Sequence, residues 1–156
     1  MSAGDLNQDS ETPLPNATLQ MNVNCDAPIA FALRGIDNRE SSSISPDGYG
    51  LGLINGTQKI GAYHLNFLNA SADGAETAPL ESFDDGNTWQ EFGEAMWQRP
   101  ALAGFGDNSS GVWYPKMIQV LTTDLVVSPR IAPARDLDLT NEVTIDGSAS
   151  IELKYL

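Results

Sequence analysis

Apolar and polar residues alternate along this chain in short runs of period two, separated by turn-forming residues. Leu19, Met21, Val23 and Cys25 alternate with Gln20, Asn22 and Asn24, the pattern of a strand with one face turned inward. After a turn over Asp26 to Pro28, the residues Ile29, Phe31 and Leu33 repeat it, and the two runs are expected to pair. Tyr49 to Leu53 and Lys59 to Phe67 follow, joined across Asn55-Gly56, a dipeptide that favours positive φ in a two-residue hairpin. In the second of these runs Tyr63, Leu65 and Phe67 share a face, and His64 and Asn66 point the other way. The stretch from Val112 to Val127 is β-branched and aromatic, which predicts strands over Met117 to Thr122 and Leu125 to Val127. The tail adds two more runs, Val143 to Ile145 and Ala149 to Tyr155.

Between these runs, 38–48 is rich in serine, glycine and proline, and 69–86 in alanine, aspartate, glycine and glutamate, so both read as loops. Trp89, Phe92, Met96 and Trp97 recur at spacings of three and four, which suits a short turn of helix or an irregular strand. Residues 1–18 are polar, carry Pro13 and Pro15 and show no periodicity, so they read as a flexible lead-in, with order beginning near Leu19. Short strands with no sustained helical stripe predict a single domain over 19–156. Its expected fold is an all-β, immunoglobulin-like antiparallel sandwich of roughly seven to nine strands with long loops.

Eight basic residues against 21 acidic ones give a net charge of −13. Such a surface repels polyanions, which argues against nucleic-acid binding. No apolar stretch reaches the roughly 20 residues a membrane span needs, so no membrane insertion is expected. The chain has one histidine and one cysteine, too few for a zinc tetrahedron, and nothing in the sequence orients Cys25 and His64 as a catalytic pair. His64 reads as a surface imidazole, and no catalytic residue, metal or cofactor is assigned. Asp84, Asp85 and Asn87 around Gly86 offer oxygen atoms on a turn, but their spacing is not that of a calcium loop and they read as a solvated acidic turn. Glu91 and Glu94 lie beside Trp89 and Trp97, and a hydrolase would need two carboxyls facing each other across a cleft. The alternative function is a carbohydrate-binding module that uses Trp89, Trp97 and Trp113 as a surface platform.

At the C-terminus Ala149, Ile151, Leu153 and Tyr155 alternate with Ser150, Glu152, Lys154 and Leu156. Such a strand can join a partner's edge through main-chain hydrogen bonds. Cys25-Asp26-Ala27-Pro28, LRGIDNR from Leu33 to Arg39, GLGL from Gly50 to Leu53, KIGAY from Lys59 to Tyr63 and IDGSASIELKYL at the end together carry a resemblance. The chain resembles an uncharacterised secreted family of proteobacteria whose members look like fimbrial subunits and whose genes tend to accompany chaperone-usher pilus machinery. The resemblance implies a pilin-type sandwich lacking one strand, filled first by a periplasmic chaperone and then by a neighbouring fimbrial subunit. Ile151, Leu153 and Tyr155 would form the partner-binding stripe, with Tyr155 matching the penultimate tyrosine that the chaperone grips. Cys25 would be one half of a disulfide to an earlier cysteine, following a signal peptide. This sequence shows neither, so an N-terminally incomplete chain is expected, able to accept a strand but not to give one. Location at the cell surface through the periplasm, with a host or surface glycan as a further partner, completes what the resemblance implies.

Overall fold

The computed structural model describes residues 1–92 and 96–156. In chain order the strands are β1 (Thr12–Pro13), β2 (Ala17–Ile29), β3 (Phe31–Asp37), β4 (Tyr49–Gly50), β5 (Leu53–Ile54), β6 (Gln58–Lys59) and β7 (Gly61–Ala72). They continue as β8 (Ala75–Glu76), β9 (Ala78–Ser82), β10 (Gln90–Glu91), β11 (Leu102–Asp107), β12 (Tyr114–Pro115), β13 (Ile118–Ile131) and β14 (Ala149–Tyr155). Single 3-10 turns at Ala3–Asp5, Glu40–Ser42 and Ala134–Asp136 are the helical elements among the described residues, and none is long and apolar enough to cross a membrane.

The fold is all-β, as the alternation predicts, and immunoglobulin-like. One sheet runs β1-β13-β7-β4, with β2 also on β13 and β8 on β7; the other runs β10-β9-β11-β3-β14, with β12 on β11. The hairpin β5-β6 pairs Ile54 with Gln58 across a three-residue connection, whose first two residues, Asn55 (φ 53) and Gly56 (φ 73), take the left-handed conformation.

Contacts divide the chain into two compact units, where the sequence predicts a lead-in and one domain. The first comprises 1–17, 36–64 and 127–150. Its apolar centre includes the stacked rings of Tyr49 and Tyr63, 5.2 Å apart, and buried Leu51 and Ile60. The Asp37 carboxylate organises the adjoining loop by accepting the backbone N–H groups of Arg39 and Gly50, each at 2.8 Å. The second unit comprises 18–35, 65–126 and 151–156. Here inner faces of both sheets meet: Phe67 of β7 stands edge-on to Phe105 of β11 at 5.3 Å and tilts against Trp97 at 5.2 Å. Trp97, Leu80, Leu102, Ile118 and Leu121 are fully buried in the same unit.

Several expectations are corrected. The 1–18 stretch is not a loose lead-in: β1 pairs with β13, Asn7 accepts a hydrogen bond from the Ala134 N–H, and β2 starts at Ala17. Its attachments are made by backbone and polar groups, which leave no trace in hydrophobic periodicity. The runs at 19–25 and 29–33 do not pair with each other, because β2 lies in one sheet and β3 in the other. β2 runs on through Pro28, which an edge strand tolerates. The 69–86 loop contains the end of β7, a tight turn at Asp73-Gly74, β8 and β9, and Ala70, Ala72 and Leu80 within it are buried. No helix forms among the described residues of 89–97. Gln90 and Glu91 pair with β9, and Trp97 bridges Leu65. Val143 to Ile145 carries no regular structure.

Candidate functional site

Six of the seven residues of the last strand are exposed. β14 ends its sheet, with β3 as its one neighbour among the described residues. Two bonds fix the pairing: the Asn38 N–H donates to the Ser148 carbonyl at 2.9 Å and the Leu156 N–H to the Ala30 carbonyl at 3.0 Å. Backbone groups of successive residues in a strand point to opposite sides. Even-numbered residues therefore direct theirs at β3, and Ile151, Leu153 and Tyr155 direct theirs at the open edge. Their side chains are also accessible, at 36%, 37% and 67%. The three residues expected to contact a partner thus share one open edge.

β2 is a second open edge, bonded among the described residues to β13 alone. Leu19 is 57% exposed, and Met21, Val23 and Cys25 are half-buried where full burial is expected of an inward face. From Ala17 to Cys25 the strand carries no charge and no proline, and the features that ordinarily protect an edge against pairing, Asp26 and Pro28, come only near its end. Cys25 is a free thiol.

Charged groups anchor β14 on its other face. The Lys154 ammonium lies 2.7 Å from Asp85 Oδ1 and donates to the Asp85 carbonyl at 3.2 Å, and Arg34 of β3 reaches the same carboxylate at 2.9 Å. Hydrogen bonding and charge from Lys154, followed by Arg34, hold the Asp85 carboxyl below its ordinary pKa. All three groups are substantially exposed, so the cluster positions the strand more than it stabilises the fold.

Other candidates fall differently from the sequence reading. Trp97 is 0% exposed and donates Nε1–H to the Ala101 carbonyl at 2.8 Å; Trp89 is 8% exposed and donates to the Gly86 carbonyl at 3.0 Å. Trp113 is half-buried against the cluster formed by Ala32, Leu80, Trp89 and Leu102. These indoles serve as core, so the three do not present a common sugar platform. Glu91 is exposed on β10, and Glu94 lies outside the described residues. The Asp84 carboxylate is occupied by the Thr88 hydroxyl and N–H and the Ser82 hydroxyl, which hold its pKa at about 2.

His64 is buried, not surface-exposed. Its Nε2 lies 3.5 Å from Asp47 Oδ1 and 3.4 Å from Ser45 Oγ. Ser45 Oγ gives its proton to Asp47 Oδ1 at 2.5 Å, so both neighbours present lone pairs to the ring. Nε2 must therefore carry a hydrogen. The arrangement pins the 43–48 loop onto β7, and Ser45 does not donate to the imidazole as a nucleophile would.

Sequence reasoning missed the β2 edge and the Arg34-Asp85-Lys154 anchor. The absence of charge from Ala17 to Cys25 and the isolated Lys154 in an acidic chain are the available signals. Comparison with protein families, curated proteins and solved structures finds no match to this chain.

Proposed function

We propose that this chain is a structural or adhesive subunit of a chaperone-usher type fimbria, assembled by strand complementation. The observation that carries the reading is the open β14 edge, where unpaired backbone groups and the side chains of Ile151, Leu153 and Tyr155 face outward together. An edge of this kind accepts an extended segment through main-chain bonds, while alternate side chains set specificity. The under-covered first part of the β2 edge, uncharged from Ala17 to Cys25, supports the same reading, because such an edge calls for a covering partner. The partners in this reading are a periplasmic chaperone and neighbouring subunits, the location is the cell surface, and the chain works by assembly, not catalysis. The carbohydrate-binding alternative is left with Trp113 alone, since Trp89 and Trp97 are buried.

Co-expression with the chaperone of the same gene cluster tests this. Tyr155→Ser should sharply reduce co-purification and leave the thermal midpoint nearly unchanged, because the ring is 67% exposed. Undiminished recovery of the complex would count against the assembly role.

A further inference from the structure

We propose that the open edge of β14 also pairs with the same edge of a second copy, antiparallel and centred on Leu153. The inference goes beyond the assembly reading and shares with it only the premise that this edge is free.

Three features select this pairing and this register. A two-fold axis at Leu153 sets Leu153 opposite itself and Ile151 opposite Tyr155. All three are residues whose N–H and C=O already point outward, since the bonds at Ser148 and Leu156 commit the even-numbered groups to β3. The pairing would close about six main-chain hydrogen bonds. The same axis sets Glu152 of each copy opposite Lys154 of the other. These are non-hydrogen-bonded pairs, the closer kind, with Cα atoms about 4.5 Å apart. Lys154 can serve them. An ammonium has three protons, and its contacts with Asp85 are one to a carboxylate oxygen and one to a carbonyl. Finally, the half-exposed stripe of Ile151, Leu153 and Tyr155 would run on into the identical stripe of the other copy.

Neighbouring registers fail one of these conditions. An axis at Glu152 sets Glu152 opposite its own copy and one at Lys154 sets Lys154 opposite its own, so each brings like charges together. An axis at Ile151 leaves Lys154 opposite Ser148, and one at Tyr155 leaves it opposite the apolar Leu156. Charges at a strand edge ordinarily discourage pairing; here their order, acid then base about a central leucine, makes one self-pairing attractive. A single strand pair buries less than a standard interface of about 1,600 Å², so the association is weak and concentration-dependent.

Sedimentation equilibrium of the full chain over a wide concentration range tests the idea, with Glu152→Lys and Lys154→Glu run separately and then mixed. Wild type should dimerise. Each variant alone places like charges opposite each other and should self-associate about tenfold more weakly. The equimolar mixture should recover the dimer, because every cross-strand pair is then attractive. In a Cys25→Ser background, Leu153→Cys should cross-link on oxidation and Tyr155→Cys should not, since only residue 153 faces its own copy; this arm reads register without changing charge. A wild type that stays monomeric, variants that associate like wild type, or a mixture that does not recover would each overturn the proposal. If chaperone recovery stays sensitive to Tyr155→Ser while no dimer forms, this inference fails and the assembly reading stands.

Discussion

Trp89 and Gly104 are fitted to each other: a side-chain carbon at Gly104 would lie 2.8 Å from Trp89 Cζ3 and 2.8 Å from Pro115 Cγ. The contact explains why β11, which lies between β9 and β3 in its sheet, carries a glycine in its interior despite the conformational cost. The indole can cover β11 only where no Cβ stands in its way.

Gly104→Ala should therefore destabilise the fold by about 1–3 kcal/mol, as overpacking does. Urea unfolding followed by tryptophan fluorescence would show it as a lower midpoint with an unchanged slope. An unaltered midpoint would mean that Trp89 has room to move.

How much of this was legible in the sequence follows the same division. β14 was predicted at its observed bounds, and the Asn55-Gly56 turn at its position, because alternation and turn chemistry are local signals. β11 was not predicted. In Leu102, Ala103, Gly104, Phe105 and Gly106 both faces are buried, so there is no polar partner to alternate with, and the glycines read as punctuation when they are sites of close packing. His64 was assigned to the surface because its neighbours alternate, yet Asp47 and Ser45, distant in sequence, supply its polar surroundings. The open β14 edge could be suspected from alternation to the chain end, but which backbone groups are free depends on the β3 register, which no local pattern carries.

Acid titration provides a second check. The Asp84 carboxyl is lowered from 3.8 to about 2, chiefly by the Thr88 hydroxyl, then by the Thr88 N–H and the Ser82 hydroxyl. A folded-state pKa below the unfolded one stabilises fully above the unfolded value, and the contribution is lost as pH falls from about 3.8 toward about 2. Thr88→Val should raise the Asp84 pKa toward 3.8, as read by carboxyl-detected NMR titration. An unmoved value would assign the shift to another group.

The imidazole of His64 makes a third prediction. With Asp47 and Ser45 both offering lone pairs to Nε2, long-range nitrogen-proton NMR should place a hydrogen on that nitrogen. A neutral ring protonated at Nδ1 alone would contradict the geometry around the 43–48 loop.

Hydrogen exchange along β14 reads the open edge itself. In dilute protein the amides of Ile151, Leu153 and Tyr155 should exchange quickly, while those of Glu152, Lys154 and Leu156, turned to β3, are protected. Addition of a strand-donating partner should slow the first set selectively. Uniform protection along β14 in the isolated chain would show that its edge is already covered, and the account of this strand as a docking edge would be wrong.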